Sequence, residues 1–151
     1  MEAVFPYWTK GEVVRGFGRG SKQLGIPTAN FPQSIVDQAP SCLDAGVYYG
    51  WACVDGGAVH KMVMSLGWNP HYQNEKKSME THILYEFPSD FYGSELAVCV
   101  AGYVRKEAKF GSIDELIAAI RSDIQVAKEK LEHADMQQLA TKFGDFARTS
   151  E

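Results

Sequence analysis

No stretch of this sequence approaches the roughly 18 consecutive apolar residues of a membrane-spanning helix. The opening Met1-Glu-Ala-Val-Phe-Pro6 also lacks the basic and then apolar run of a secretory leader. Thr149-Ser-Glu151 is not a peroxisomal address, so the cytoplasm is the expected location. Cysteine is scarce: Cys42, Cys53 and Cys99 are odd in number and form no CxxC pair, which argues against a disulfide framework and against a cysteine-based zinc site. Surplus basic charge is missing too. Fifteen Lys and Arg against 19 Asp and Glu give a net charge of −4, poor equipment for a general nucleic-acid or anionic-membrane binder. With no repeat, low-complexity tract or linker, 151 residues at 45% hydrophobic and 23% charged describe one soluble globular domain, with monomer as the default state.

What is present divides near Gly111 into a β part and an α part. Segments 11–16, 46–54, 60–66, 81–87 and 96–104 are short, rich in β-branched and aromatic residues and bounded by Gly, Pro, Asn or Asp, so each is expected to be a strand. Asp55-Gly56-Gly57 between the second and third is the strongest hairpin signal, because glycine tolerates the positive φ of tight turns. Strands so close in sequence leave no room for parallel crossovers and predict an antiparallel barrel or sandwich. From Ser112, residues Ile113, Leu116, Ile117, Ile120, Ile124, Ala127 and Leu131 recur at helical spacing, forming one face to pack on the barrel. Ser112 and Glu115 fit a capping box at its start. A second short helix is expected over 135–143, then a frayed tail.

Residues 15–32 differ from everything else, with four glycines, two prolines and three cations. Glycines at 16, 18, 20 and 25 let backbone N–H groups converge on an anion, as in a phosphate cradle, although a plain surface loop has the same composition. Neither GxxxxGK[ST] nor GxGxxG is present, since position 21 is Ser21, so a P-loop or Rossmann site is not supported. In an extended Pro27-Thr28-Ala29-Asn30, Thr28 and Asn30 point the same way and offer two neutral oxygens. Such a pair suits a hard cation whose charge is balanced by substrate phosphates, or else it merely bonds nearby backbone in a turn. The −4 is also uneven: residues 11–30 hold three cations against one carboxylate, and 112–151 hold five against eight.

Gly-Arg-Gly-Ser-Lys22 followed by Gly25-Ile-Pro-Thr-Ala-Asn30 resembles the signature of the riboflavin kinase (flavokinase) family. Gly46-Val-Tyr-Tyr-Gly-Trp51, Ser65-Leu-Gly-Trp-Asn-Pro70, Lys77-Ser-Met-Glu-Thr-His82, Asp90-Phe-Tyr-Gly93 and Gly102-Tyr-Val-Arg105 are similar, in order and spacing, to further family blocks, so the resemblance covers about residues 8–131. It is strongest to the monofunctional eukaryotic type. It implies a mainly β fold, a six-stranded antiparallel Greek-key β-barrel (about 8–110) with a C-terminal helical region (about 112–143). An adenylyltransferase domain such as bacterial relatives carry has no room here, so FAD synthesis is not expected.

The resemblance further implies transfer of the γ-phosphoryl group of ATP to the 5′-hydroxyl of riboflavin, giving FMN and ADP. It assigns the metal to Thr28 and Asn30, with Mg²⁺ favoured over Zn²⁺ or Mn²⁺ by the oxygen donors, and sets Gly16 and Lys22 beside the phosphates. Glu80 becomes the expected general base, although a carboxylate on such a strand is ordinarily just solvated. Adenine contacts carry over to Ile83, Tyr85 and Tyr92, and flavin contacts to Arg105, Ala108 and Phe110, where Ala108 can offer only backbone. On the strand read at 81–87, Thr81, Ile83, Tyr85 and Phe87 are expected to look inward, and His82 is read as structural. The expected partners are small molecules only. Two other readings remain: a non-catalytic flavin-binding barrel, and an oligonucleotide-binding barrel, the latter disfavoured by the net charge.

Overall fold

A computed structural model describes residues 5–14, 29–40, 43–68, 77–85 and 93–148. Among them six strands form one antiparallel sheet: β1 (Tyr7–Glu12), β2 (Ala29–Asn30), β3 (Gly46–Val54), β4 (Val59–Trp68), β5 (Lys77–Ile83) and β6 (Glu95–Lys106). The spatial order is β1-β6-β3-β4-β5-β2. Three consecutive antiparallel strands, β3 to β5, are thus followed by a fourth that returns beside the first, which is the Greek-key order. The sheet curls strongly, and an isolated antiparallel bridge between Val14 and Asn30 links the chain leaving β1 to β2, bringing its two edges together. The fold is the mainly β, six-stranded antiparallel architecture expected from the sequence, in a curled and half-open form.

Side-chain alternation divides the sheet into two faces. Inward lie Tyr48 and Ala52 of β3, Met62, Met64 and Leu66 of β4, Met79 and Ile83 of β5, and Leu96, Val98 and Val100 of β6, packed with Val13, Phe31 and Leu43. A short helix α1 (Gln33–Val36), not anticipated from the sequence, adds Val36 to this core. The outward residues Val47, Trp51, Cys53, Val63, Ala97 and Cys99 form a second core with Ala127, Leu131, Phe143 and Ala147. These last belong to α2 (Ile113–Leu131) and α3 (Ala134–Arg148). Because β3 and β6 are covered on both faces, they read as nearly continuous apolar runs; β5 alternates instead, with buried Met79, Thr81 and Ile83 between more exposed residues.

The hairpin turn forms as expected. Asp55 (φ 52) and Gly56 (φ 69) both take positive φ, and Gly57 N–H donates to the Val54 carbonyl at 3.0 Å, a β-turn of the hand that suits paired strands, in the link between the last pair Cys53 and Val59. Several expectations are corrected. The first strand runs over Tyr7–Glu12 rather than 11–16, because its partner is the stretch from Glu95 to Val100 of β6. The fourth expected strand is Lys77–Ile83, so Tyr85 does not look inward and is 51% exposed; Phe87 lies outside the described residues. Ile113 is 58% exposed, since only the C-terminal half of α2 reaches full burial, at Ala127 and Leu131. The tail expected to fray is helical to Arg148, whose guanidinium donates to the Gly56 and Gly57 carbonyls of the hairpin turn.

Candidate active site

The two strands that carry Asn30 and Glu80 are neighbours. In the β2–β5 ladder Asn30 stands directly opposite Glu80, and Ala29 opposite Thr81. Ala29 and Thr81 point into the barrel and are buried, which turns Asn30 and Glu80 outward together. Directly opposed residues have Cβ atoms about 4.5–5.5 Å apart, so an amide and a carboxylate share one small patch of surface although 50 residues separate them in sequence. The row continues across the sheet. Glu80 pairs with Ser65 of β4, Ser65 with Val47 of β3, and Val47 with Arg105 of β6. Arg105 and Glu80 therefore lie three strands apart, about 14 Å along the sheet at ordinary strand spacing.

At the far end of this row Arg105 is tightly held. Its Nε and Nη2 donate to the two carboxylate oxygens of Asp123 on α2 at 2.8 and 2.9 Å, and Nη1 donates to the Lys106 carbonyl at 3.1 Å. The guanidinium carbon stands 5.5 Å from the centroid of the Phe110 ring, within cation–π range. The loop that bears Ala108 and Phe110 is pinned at its other end by the helix cap. Ser112 Oγ accepts from Glu115 N–H at 3.2 Å, and Glu115 reaches back to Gly111 N–H at 2.9 Å, one residue earlier than the usual reciprocal bond. Ala108 is exposed. At Gly67 an added Cβ would sit 2.8 Å from the Glu107 carboxylate, so the loop's first residues lie close over β4.

At the opposite end of β5 the strand closes with a tight turn in which Tyr85 N–H donates to the Ile83 carbonyl at 2.8 Å. The exposed Tyr85 ring stacks on His60 with centroids 4.0 Å apart and an interplanar angle of 22°. Ile83 itself is buried, so anything it offers a ligand is backbone. His82 shares the outer face with Glu80, and burial lowers its pKa to about 4, which keeps it neutral near pH 7 and makes it a weak proton acceptor.

Of the residues singled out from sequence, Asn30, Glu80 and Arg105 fall on one row, Phe110 and Ala108 beside its Arg105 end, and Ile83 and Tyr85 at the strand end beyond Glu80. Gly16, Lys22, Thr28 and Tyr92 lie outside the described residues. No cluster of three or more His, Cys, Asp or Glu able to hold a metal occurs among the described residues. The expected donors are a hydroxyl and an amide, and the Asn30 amide beside a carboxylate is a donor set that suits a hard cation. Asp123 was missed by sequence reasoning. The signal for it is an acidic residue at spacings of three and four from Ile120 and Ala127, on the apolar face of a helix, where a carboxylate needs a partner.

The family model described as Flavokinase, riboflavin kinase, matches residues 3–131. Human riboflavin kinase is 61% identical over 127 residues, covering 84% of this chain and 82% of that protein, and mouse riboflavin kinase is 59% identical over the same coverage. The crystal structure of riboflavin kinase from Trypanosoma brucei superposes with a TM-score of 0.73 at 26% identity, covering 97% of this chain and 92% of that one. A matched model over most of the length, relatives of this identity and a shared fold all point one way: the chain belongs to the riboflavin kinase family.

Proposed function

We propose that this chain carries out the riboflavin kinase reaction along the row from Arg105 to Asn30, with Glu80 as the base. The reaction moves the γ-phosphoryl group of ATP to the 5′-hydroxyl of riboflavin and yields FMN and ADP, as expected for a member of this family. The observation that carries the assignment of roles is the pairing of Asn30 with Glu80 across β2 and β5. It supports a site in which the carboxylate orienting the attacking hydroxyl adjoins the amide that faces the nucleotide phosphates.

In this reading the isoalloxazine ring lies against Phe110 and Arg105, and its ribityl chain runs along the outer face toward β5. Adenine sits at the Ile83–Tyr85 end, with Tyr92 beside it, and Gly16 and Lys22 border the phosphates. The Glu80 carboxylate accepts the hydrogen bond of the 5′-hydroxyl. As that oxygen bonds to the γ-phosphorus and the bond to the ADP oxygen breaks, the proton passes to Glu80 late in the transfer, because an alcohol is far too weak an acid to lose it beforehand. Thr28 and Asn30 would hold a divalent cation, Mg²⁺ by the hardness of their oxygens, whose charge offsets that of the ATP phosphates. The rest of the catalysis is alignment of the two reacting oxygens with the phosphorus. The same reading takes the protein as a cytoplasmic monomer acting on small molecules.

Incubation with ATP, Mg²⁺ and riboflavin, followed by chromatography, should yield FMN. Glu80→Gln, which keeps shape and loses basicity, should cut kcat on the order of 10²-fold or more with riboflavin affinity little changed. A variant that works at the normal rate removes Glu80 from the base role. Riboflavin binding without FMN formation by the unaltered protein would favour a non-catalytic flavin-binding module.

A further inference from the structure

Asp123 brings a carboxylate onto the apolar face of α2 and is only 4% exposed. An ionised carboxylate so far from water requires a partner with matching hydrogen bonds. Arg105 supplies it through a two-bond fork at 2.8 and 2.9 Å. Such a fork fixes the plane of the guanidinium as well as its position, which a single contact to a lysine would not do. That plane lies by the Phe110 ring, and the third bond, from Nη1 to the Lys106 carbonyl, ties it to the strand end. A chain of contacts thus runs from the helix, through Arg105, to the aromatic residue of the loop.

We propose that Asp123 is the positioning residue of the flavin-ring pocket: its carboxylate sets the Arg105 guanidinium, and through it the Phe110 ring, before the ligand arrives. This rests on reading Arg105 and Phe110 as flavin contacts. Three of the five guanidinium N–H groups, on Nε, Nη1 and Nη2, are committed to protein oxygens, so two remain for a ligand. The charge is also balanced by Asp123. Such an arginine suits an uncharged flat ring with a polar edge, which takes stacking and one or two hydrogen bonds, better than it suits a phosphate. The pocket thereby favours the ring end of the substrate and leaves the phosphates to the other end of the row.

The test is steady-state kinetics on Asp123→Asn, with riboflavin affinity measured separately by quenching of flavin fluorescence and folding checked by a thermal melt. The expected result is a rise on the order of ten-fold or more in both KM and Kd for riboflavin, the scale at which a charge-assisted fork contributes. KM for ATP should stay within about twofold, by the same argument that the fork lies at the ring end of the row. Asp123→Glu, which keeps the charge, should recover part of the loss. Unchanged riboflavin constants overturn the proposal, and so does a parallel rise for ATP and riboflavin, which marks a general structural role. If Asp123→Asn does not fold, Arg105→Lys replaces it, since it keeps the charge and loses the fork; it must show the same selective loss, and normal riboflavin constants overturn the proposal. Phe110→Ala separates this inference from the reading beneath it. An active protein in which Phe110→Ala leaves riboflavin binding intact removes the ring pocket altogether, whereas an impaired Phe110→Ala beside a normal Asp123→Asn removes only the role of Asp123.

Discussion

Replacing Phe143 by alanine should destabilise the protein by about 4 kcal/mol without touching the chemistry. Phe143 is fully buried on α3, with its ring 5.9 Å from Trp8 and 6.2 Å from Phe146, while Trp8 and Phe146 meet edge to face at 5.3 Å. Returning the ring to water costs about 2 kcal/mol by apolar area. A ring-sized void of roughly 100 Å³, at about 24 cal/mol per Å³, adds a further ~2 kcal/mol if the walls do not collapse. They are poorly placed to do so. Trp51 donates its indole N–H to the Met136 carbonyl at 3.1 Å, and Lys10 donates to the Phe146 carbonyl at 3.2 Å while its ammonium stands 4.9 Å from the Phe146 centroid, so both ends of the helix side are tied to the sheet. At about 2–4 °C per kcal/mol for a chain of this size, the melting temperature should fall by roughly 10 °C. Phe143 lies by Trp8, whose partner on β6 is Cys99, six residues before Arg105, and α3 packs on β3 and β6 rather than on β5, so kcat and both KM values at 20 °C should match those of the unaltered protein. Urea denaturation and FMN formation, measured on one preparation, decide it. A loss below about 1 kcal/mol would mean that α3 is not part of the cooperative unit. Altered kinetics in a folded variant would mean that the second core communicates with the site.

Gly50→Ala should yield little folded protein, because the new Cβ would collide with the Cys99 carbonyl oxygen, a backbone atom beside a register shift that cannot retreat; an ordinary melting curve would refute this. Stability should also fall with acid through His82. Burial lowers its pKa from 6.5 to about 4, so between those values the unfolded chain takes up a proton that the folded one does not, and stability is lost as pH drops through that window. His60 acts in the same direction, also through burial. Denaturation midpoints of His82→Gln should therefore decline less steeply between pH 6.5 and pH 4, and parallel slopes would remove His82 from the account.

How far the sequence reached depended on whether the information was local. β3 was legible to the residue because Gly46 opens it and Asp55-Gly56 closes it with backbone angles that few other residues accept. The helix cap at Ser112 was legible because its signal, a serine three residues before a glutamate, is also local. β1 was shifted because nothing within Tyr7–Glu12 marks its ends; its register is set by Leu96 to Val100, almost ninety residues on. Alternation suggested that Tyr85 continued β5, but the bond from its N–H to the Ile83 carbonyl ends the strand first. The site divides likewise. Asn30 and Glu80 were identified one by one from motifs, yet their adjacency exists only in the β2–β5 pairing, and the fork between Arg105 and Asp123 only in the docking of α2 on the sheet.

That docking bears on where the chemistry lies. The outward faces of β3 and β6 are apolar and must be covered, which α2 and α3 do; on β5 the outward Ser78 and Glu80 need no such cover, while His82, opposite Val63 of the covered core, is desolvated. In the proposed site, the polar groups for binding and proton transfer therefore collect on the part of the sheet that the helices leave open, with Arg105 at the border between the two. A helix that only sealed a core would carry no carboxylate at position 123, since a hydrophobic residue of similar size avoids the cost of desolvating a charge. The buried Asp123 is better explained by what it holds on the open side. On this view α2 closes the second core with Ala127 and Leu131 and orders the ring pocket with Asp123. Substitutions that loosen α2 around Asp123 should then raise the riboflavin Kd, read by flavin-fluorescence quenching, before they lower the melting temperature.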